Sequence, residues 1–118
     1  MLTRYNTRST TMAQPEKKTR RAMLEEFVVA HPNDAFARYG LAAECASQGD
    51  APAAIENYEK LLAAHPDYVS GYFQYGQFLA RISRTDEARS TLTKGTEVAR
   101  RTGDQHAAEE MTAALALL

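Results

Sequence analysis

The chain repeats itself every 34 residues, and that period limits its fold more than any other feature. His31-Pro32 returns as His65-Pro66, and Asp67 follows the second proline much as Asn33 and Asp34 follow the first. Between these marks small residues fall on small ones, Ala42 on Gly76 and Ala54 on Ala88. Most large apolar positions stay large, with Leu41 on Tyr75, Cys45 on Leu79 and Tyr58 on Leu92, although Ile55 meets Arg89 and Leu61 meets Gly95. A fixed period of this length marks stacked supersecondary units, none of which buries its apolar face alone.

The punctuation inside each unit is helical. Asn33 or Asp34 suits the cap of a helix running to about Gln48, and Gly49-Asp50 ends that helix and opens the next over about 51–64. Pro52 falls in the first turn, where its missing N–H is tolerated. The second unit predicts a helix over about 68–82, a turn at Ser83-Arg84-Thr85, and a long helix from Asp86 with Thr85 as its cap. An earlier helix is marked by the apolar stripe Ala22, Leu24, Phe27 and Val28, with Pro15 near its start. Gly103 ends the long helix, Asp104 caps a last one, and Ala107, Met111, Ala114, Leu115 and Leu118 form its stripe.

These residues resemble the tetratricopeptide repeat, whose pattern is Trp-x2-Leu-Gly-x2-Tyr in a first helix, Ala-x3-Phe in a second, and a closing Pro. The second unit carries Tyr72, Tyr75-Gly76, Leu79, Ala88 and Leu92; the first carries Leu41-Ala42, Cys45, Ala54, Tyr58 and Pro66. Two positions depart from the pattern, Arg38 at the Trp site and Arg100 at the closing Pro site. The likeness spans about residues 16–102. It implies an all-α, right-handed superhelical stack of antiparallel helix pairs, an α-solenoid of about six helices, with Ala42, Gly76, Ala54 and Ala88 letting helices approach closely. The expected organisation is a disordered basic tail over 1–14, a half repeat over 15–31, repeats over 33–66 and 67–103, and a capping helix over 104–118.

The family's ligands usually lie in the concave groove lined by the first helix of each pair. Carried onto this sequence, that groove comprises Phe36, Tyr39, Gly40, Ala43, Ser47, Phe73, Gln74, Gln77 and Arg81. Aromatics beside amides suit an extended or helical peptide with apolar anchors, and Arg81 suits a carboxylate. Two fates stay open for Phe36, Tyr39 and Phe73: a binding face, or a core covered by the N-terminal helix or by one another. The paired Lys/Arg and Asn that the family uses to clamp chaperone tails are absent from this face. The implied function is therefore a non-catalytic module for a protein or peptide partner. The alternative is a self-associating structural subunit, a homodimer formed through open array edges near Leu24, Phe27, Phe36 and Tyr39 or near the apolar C-terminal run 114–118.

Other function classes find little support. The 118 residues suffice for one domain, and a net charge of −1 supplies no general attraction for nucleic acid or anionic membrane. Charge is uneven, because six cations against Glu16 alone give residues 1–21 a net +5 and leave −6 for the rest. Short basic ends are commonly solvated, so nucleic acid is not the expected partner; a contact through this end would weaken steeply with salt. Cys45 is the only cysteine, which excludes an internal disulfide or a Cys-x-x-Cys pair and fits a reducing, cytoplasmic setting. No stretch approaches a membrane span, and the start of the chain lacks the apolar core of a secretory signal. His31 and His65 share one repeat position and read as local helix-end groups. His106 and Glu110 lack a third ligand, and the adjacent pairs Glu25-Glu26 and Glu109-Glu110 point apart on helices. No enzyme, metal or cofactor is expected.

Overall fold

A computed structural model describes residues 17–118 and builds them into six helices, with no strand among the described residues. They are α1 (Arg20–Ala30), α2 (Ala35–Ser47), α3 (Ala51–Ala64), α4 (Val69–Arg81), α5 (Thr85–Arg101) and α6 (Gln105–Ala116). The tail expected over 1–14, and Pro15, lie outside the described residues.

Most helix starts fall where the turn residues place them. Asp34 Oδ1 accepts from the Ala37 N–H at 2.9 Å, Asp50 Oδ1 from Ala53 at 3.2 Å, and Asp104 Oδ1 from Ala107 at 3.1 Å. Each carboxylate satisfies a donor that the first helical turn leaves without a partner. Two starts differ from expectation. The first helix begins only at Arg20, because Thr19 Oγ1 accepts from the Ala22 N–H at 3.0 Å and fixes the boundary there. Thr85 is the first residue of α5 rather than its cap; Arg84 holds the cap position without a side-chain cap bond, and Asp86 and Glu87 in the first turn favour the positive helix end instead.

The turn inside each repeat is a left-handed residue followed by a two-bond closure. Gly49 and Ser83, one period apart, have φ of 75° and 67°, and Gly103 repeats the conformation at 84°. After α4 the Ser83 N–H donates to Ala80 O and the Arg84 N–H to Leu79 O; Gly49 with Asp50, and Gly103 with Asp104, make the same pair of bonds after α2 and α5. This is the Schellman closure, which satisfies carbonyls the helix end leaves free. Between repeats the two histidines do matching work: the His31 N–H donates to Phe27 O and the His65 N–H to Leu61 O, both at 2.8 Å and with nearly the same backbone angles.

Packing follows from these turns. α2 lies on α3, α4 on α5, and α6 on α5, while α4 touches both α2 and α6. Leu41, Ala42, Cys45, Ala54, Tyr58, Leu61 and Leu79 fill one apolar cluster; Tyr72, Leu92, Val98, Ala108 and Met111 fill a second. Small residues set the helix spacing. A Cβ on Gly76 would lie 2.5 Å from Leu92 Cγ, and one on Gly95 would lie 2.4 Å from Tyr72 Cβ and 2.6 Å from Met111 Sδ. The two departures from the family pattern each have a local consequence. Arg38 Nη1 donates to Asn57 Oδ1 at 3.0 Å, tying α2 to α3, where the equivalent Tyr72 donates its hydroxyl to Pro66 O at 2.8 Å. With Arg100 in place of proline, α5 continues to Arg101, and Arg101 Nη2 reaches Asp67 Oδ1 at 2.8 Å.

Candidate partner-binding surface

Five of the nine expected groove residues come together. Phe36, Tyr39, Gly40, Ala43 and Ser47, all on α2, line an open cavity of about 500 Å³ whose other wall is Arg20, Leu24 and Phe27 of α1. Phe36 is 74% exposed and Phe27 43%, so the groove offers apolar surface to solvent. Aromatic contact continues along one wall: Phe36 and Tyr39 have ring centroids 6.4 Å apart, and Tyr39 and Tyr68 5.4 Å. Burial pushes the Tyr39 phenol above its ordinary range, which keeps it neutral.

Charge bounds the groove at one end. Arg20 Nε lies 3.2 Å from Glu44 Oε1, linking α1 to α2. The neighbouring Arg21 lies 2.8 Å from Asp50 Oδ2 through Nη1, which also donates to Gln48 Oε1 at 3.1 Å, so α1 is fastened to the turn between α2 and α3. The Arg21 guanidinium, with help from the Ala53 N–H, holds the Asp50 carboxyl below the usual carboxylate range.

The other four residues lie elsewhere. Phe73 is half-buried against the second apolar cluster, in keeping with a packing role, and Gln74 is half-buried on α4. Gln77 and Arg81 line a separate cleft of about 360 Å³ with Ala80, Leu92, Ala114, Leu117 and Leu118. The Arg81 guanidinium sits 5.7 Å from the centroid of the Phe78 ring. Aromatics and amides thus fall in different places: the aromatic face of α2 borders α1, whereas Gln77 and Arg81 of α4 border the last helix. Arg20 and Glu44 were not expected at the groove. Residue periodicity does carry a signal for Arg20, which stands one period before Ala54 and so puts a long cation where a repeat normally has a small residue.

Comparison with known proteins gives this geometry a family. A family model described as tetratricopeptide repeat matches residues 46–118, from the end of α2 through α6. The chain belongs to the tetratricopeptide repeat family. A tetratricopeptide repeat domain protein from Salinibacter ruber, solved in solution, is 39% identical over 71% of this chain and 85% of that one, with a TM-score of 0.67. A crystal structure of a tetratricopeptide repeat domain protein from the same organism is 39% identical over 70% of this chain and 91% of that one, with a TM-score of 0.64. A protein from Bordetella parapertussis, 21% identical over 84% of this chain and 86% of that one, shares the fold at a TM-score of 0.72. No curated protein matches.

The remaining reactive side chains lie apart from the groove or among packed residues. Cys45 is buried, and burial pushes its thiol above the ordinary range, away from the nucleophilic thiolate. The His31 ring packs 4.4 Å from Phe27 at the end of α1. His106 Nε2 lies 3.6 Å from Glu110 Oε1 on an exposed face, and no group of three metal-ligating side chains occurs among the described residues. No described helix is long and apolar enough to cross a membrane.

Proposed function

We propose that this tetratricopeptide repeat protein is a non-catalytic interaction module that seats a peptide or protein segment in the groove between α1 and α2. The family generally mediates protein–protein contacts. The observation that carries the placement is Phe36, exposed at one wall of a largely apolar cavity with Phe27 and Leu24 opposite. Covering a phenylalanine ring fully contributes about 1.5–3 kcal/mol, so a partner that fills this groove gains from Phe36 before any polar contact is made. Arg20 and Glu44 supply charge at the rim, where it sets orientation more than affinity. Gln77 and Arg81 form a second, smaller contact region in this reading, while Phe73 supports the fold. Neither a cofactor nor a metal takes part, and the lone buried thiol suits the reducing cytoplasm.

Self-association is the second reading, favoured by apolar surface at both ends of the array, with Phe36 at one and Leu117, 87% exposed, at the other. The test of the groove is affinity capture from host lysate with the wild-type chain and with Phe36→Asp/Ala43→Glu, after circular dichroism shows equal helicity. A protein retained by wild type and lost by the folded variant supports the assignment. Equal retention by both removes the groove from the function.

A further inference from the structure

The helices alternate between two kinds along the chain. α2 and α4 are the first helices of their repeats and α3 and α5 the second, so α1, which ends at His31-Pro32 as α3 ends at His65-Pro66, is a second-type helix. α6 packs on α5 and touches α4 as α4 touches α2, which makes it a first-type helix. The described array therefore starts with half a repeat and ends with the complementary half.

The period shows what each half lacks. Leu24 stands one period before Tyr58 and two before Leu92, which are 2% and 1% exposed because α2 and α4 cover them. Phe27 stands in the same relation to Leu61 and Gly95, both buried. On α1 Leu24 is only half-buried and Phe27 is 43% exposed, and both form a wall of the groove, so the groove has the place of a first-type helix that the described residues do not supply. The internal pairs define what fits it: Gly76 of α4 receives Leu92, and Tyr72 rests on Gly95. A first-type helix thus brings a small residue to the large one at the Leu24 position.

We propose that the occupant is α6 of a second copy of this chain, joined head to tail so that α6 of one molecule and α1 of the next complete a repeat. The exposed side of α6 carries Thr112, Ala113 and Ala116, small enough to admit Leu24 closely, with the exposed Leu117 beyond them. Charge agrees. Residues 104–118 carry no Lys or Arg, whereas Lys17, Lys18, Arg20 and Arg21 cluster at the start of α1, where Lys18, Arg20 and Arg21 pair with Glu26, Glu44 and Asp50. In the antiparallel register of the internal pairs, those cations meet the carbonyl-bearing end of the incoming helix, which favours positive charge. Arg20 is larger than the alanines at Ala54 and Ala88, and it selects a partner helix free of cations. Such a contact joins two different surfaces and does not close on itself, so it extends as a chain of molecules rather than stopping at a symmetric pair.

This inference rests on the groove being a protein-binding seat and adds the identity of what sits there. The experiment uses two full-length variants with opposite ends blocked, Phe27→Asp and Ala113→Arg/Ala116→Arg, each checked for wild-type helicity, in analytical ultracentrifugation up to millimolar concentration. The expected result is a wild-type mass that climbs with concentration past the dimer, a monomer mass for each variant alone, and twice the monomer mass for their equimolar mixture. In that mixture each variant retains the face the other lacks. A wild-type chain that stays monomeric overturns the proposal, as does a single variant that dimerises alone, which would make the contact symmetric. Association that appears only on removing residues 1–16 also overturns it, by assigning the groove to the chain's own start. The groove reading itself fails separately, through the Phe36→Asp/Ala43→Glu capture.

Discussion

At the scale of single residues, the left-handed turns and the close helix contacts are the sensitive points. Ser83 occupies a conformation that its counterparts Gly49 and Gly103 adopt without a side chain. A left-handed conformation costs a residue with a Cβ roughly 1–2 kcal/mol, part of which glycine returns as greater freedom in the unfolded chain. Ser83→Gly is therefore expected to stabilise the protein by about 0.5–1 kcal/mol in urea denaturation, and a loss would show that the Ser83 side chain contributes to the turn. Glycines inside helices divide according to what a methyl group would meet. At Gly95 it meets Tyr72 Cβ at 2.4 Å, whereas at Gly40 the nearest atom is Leu24 Cδ2 at an ordinary 3.6 Å. Gly95→Ala should cost about 1–3 kcal/mol through overpacking despite its better helix propensity. Gly40→Ala should gain up to about 1 kcal/mol. Opposite signs from two identical substitutions, read as unfolding midpoints, check the packing directly.

Among the described helices, α1 depends most on polar fastening, since of these it packs on α2 alone. Arg21 holds it to Asp50 and Gln48, so Arg21→Ala is expected to speed amide exchange across α1 while α3 and α4 keep their protection. Acid should act in the same place. Because the folded Asp50 carboxyl titrates below its unfolded range, its contribution is complete above the ordinary aspartate value, near 3.9, and is lost as pH falls below it. Exchange in α1 should therefore rise on acidification before exchange in α4 does, and Arg21→Ala should abolish that difference. The helices themselves were legible in sequence because Asp34, Asp50 and Asp104 cap where turn residues precede them. The caps at Thr19 and Arg84 were not legible because several polar residues compete at those boundaries, and only the path of the backbone selects one. Phe73 illustrates a different obstacle: position within a repeat identifies a helix face, but whether that face is covered depends on the next helix in the stack.

For the molecule as a whole, the described array exposes at its ends what a longer one buries between repeats. The 34-residue period made the architecture readable, and its comparison of Leu24 with Tyr58 and Leu92 marks where the array is open. It did not show that Gln77 and Arg81 would line a cleft with the last helix, because that depends on how far α6 reaches over α4. A binding function centred on the first groove is most directly tested by backbone amide exchange, measured with and without a segment of the captured partner, or at low and high chain concentration if the chain captures itself. Added protection should concentrate in α1 and α2 around Leu24, Phe27, Phe36 and Ala43, extending to α6 when the partner is another copy. Protection confined to α3 and α5, with Phe36 and Phe27 unchanged, would contradict the groove as the working surface.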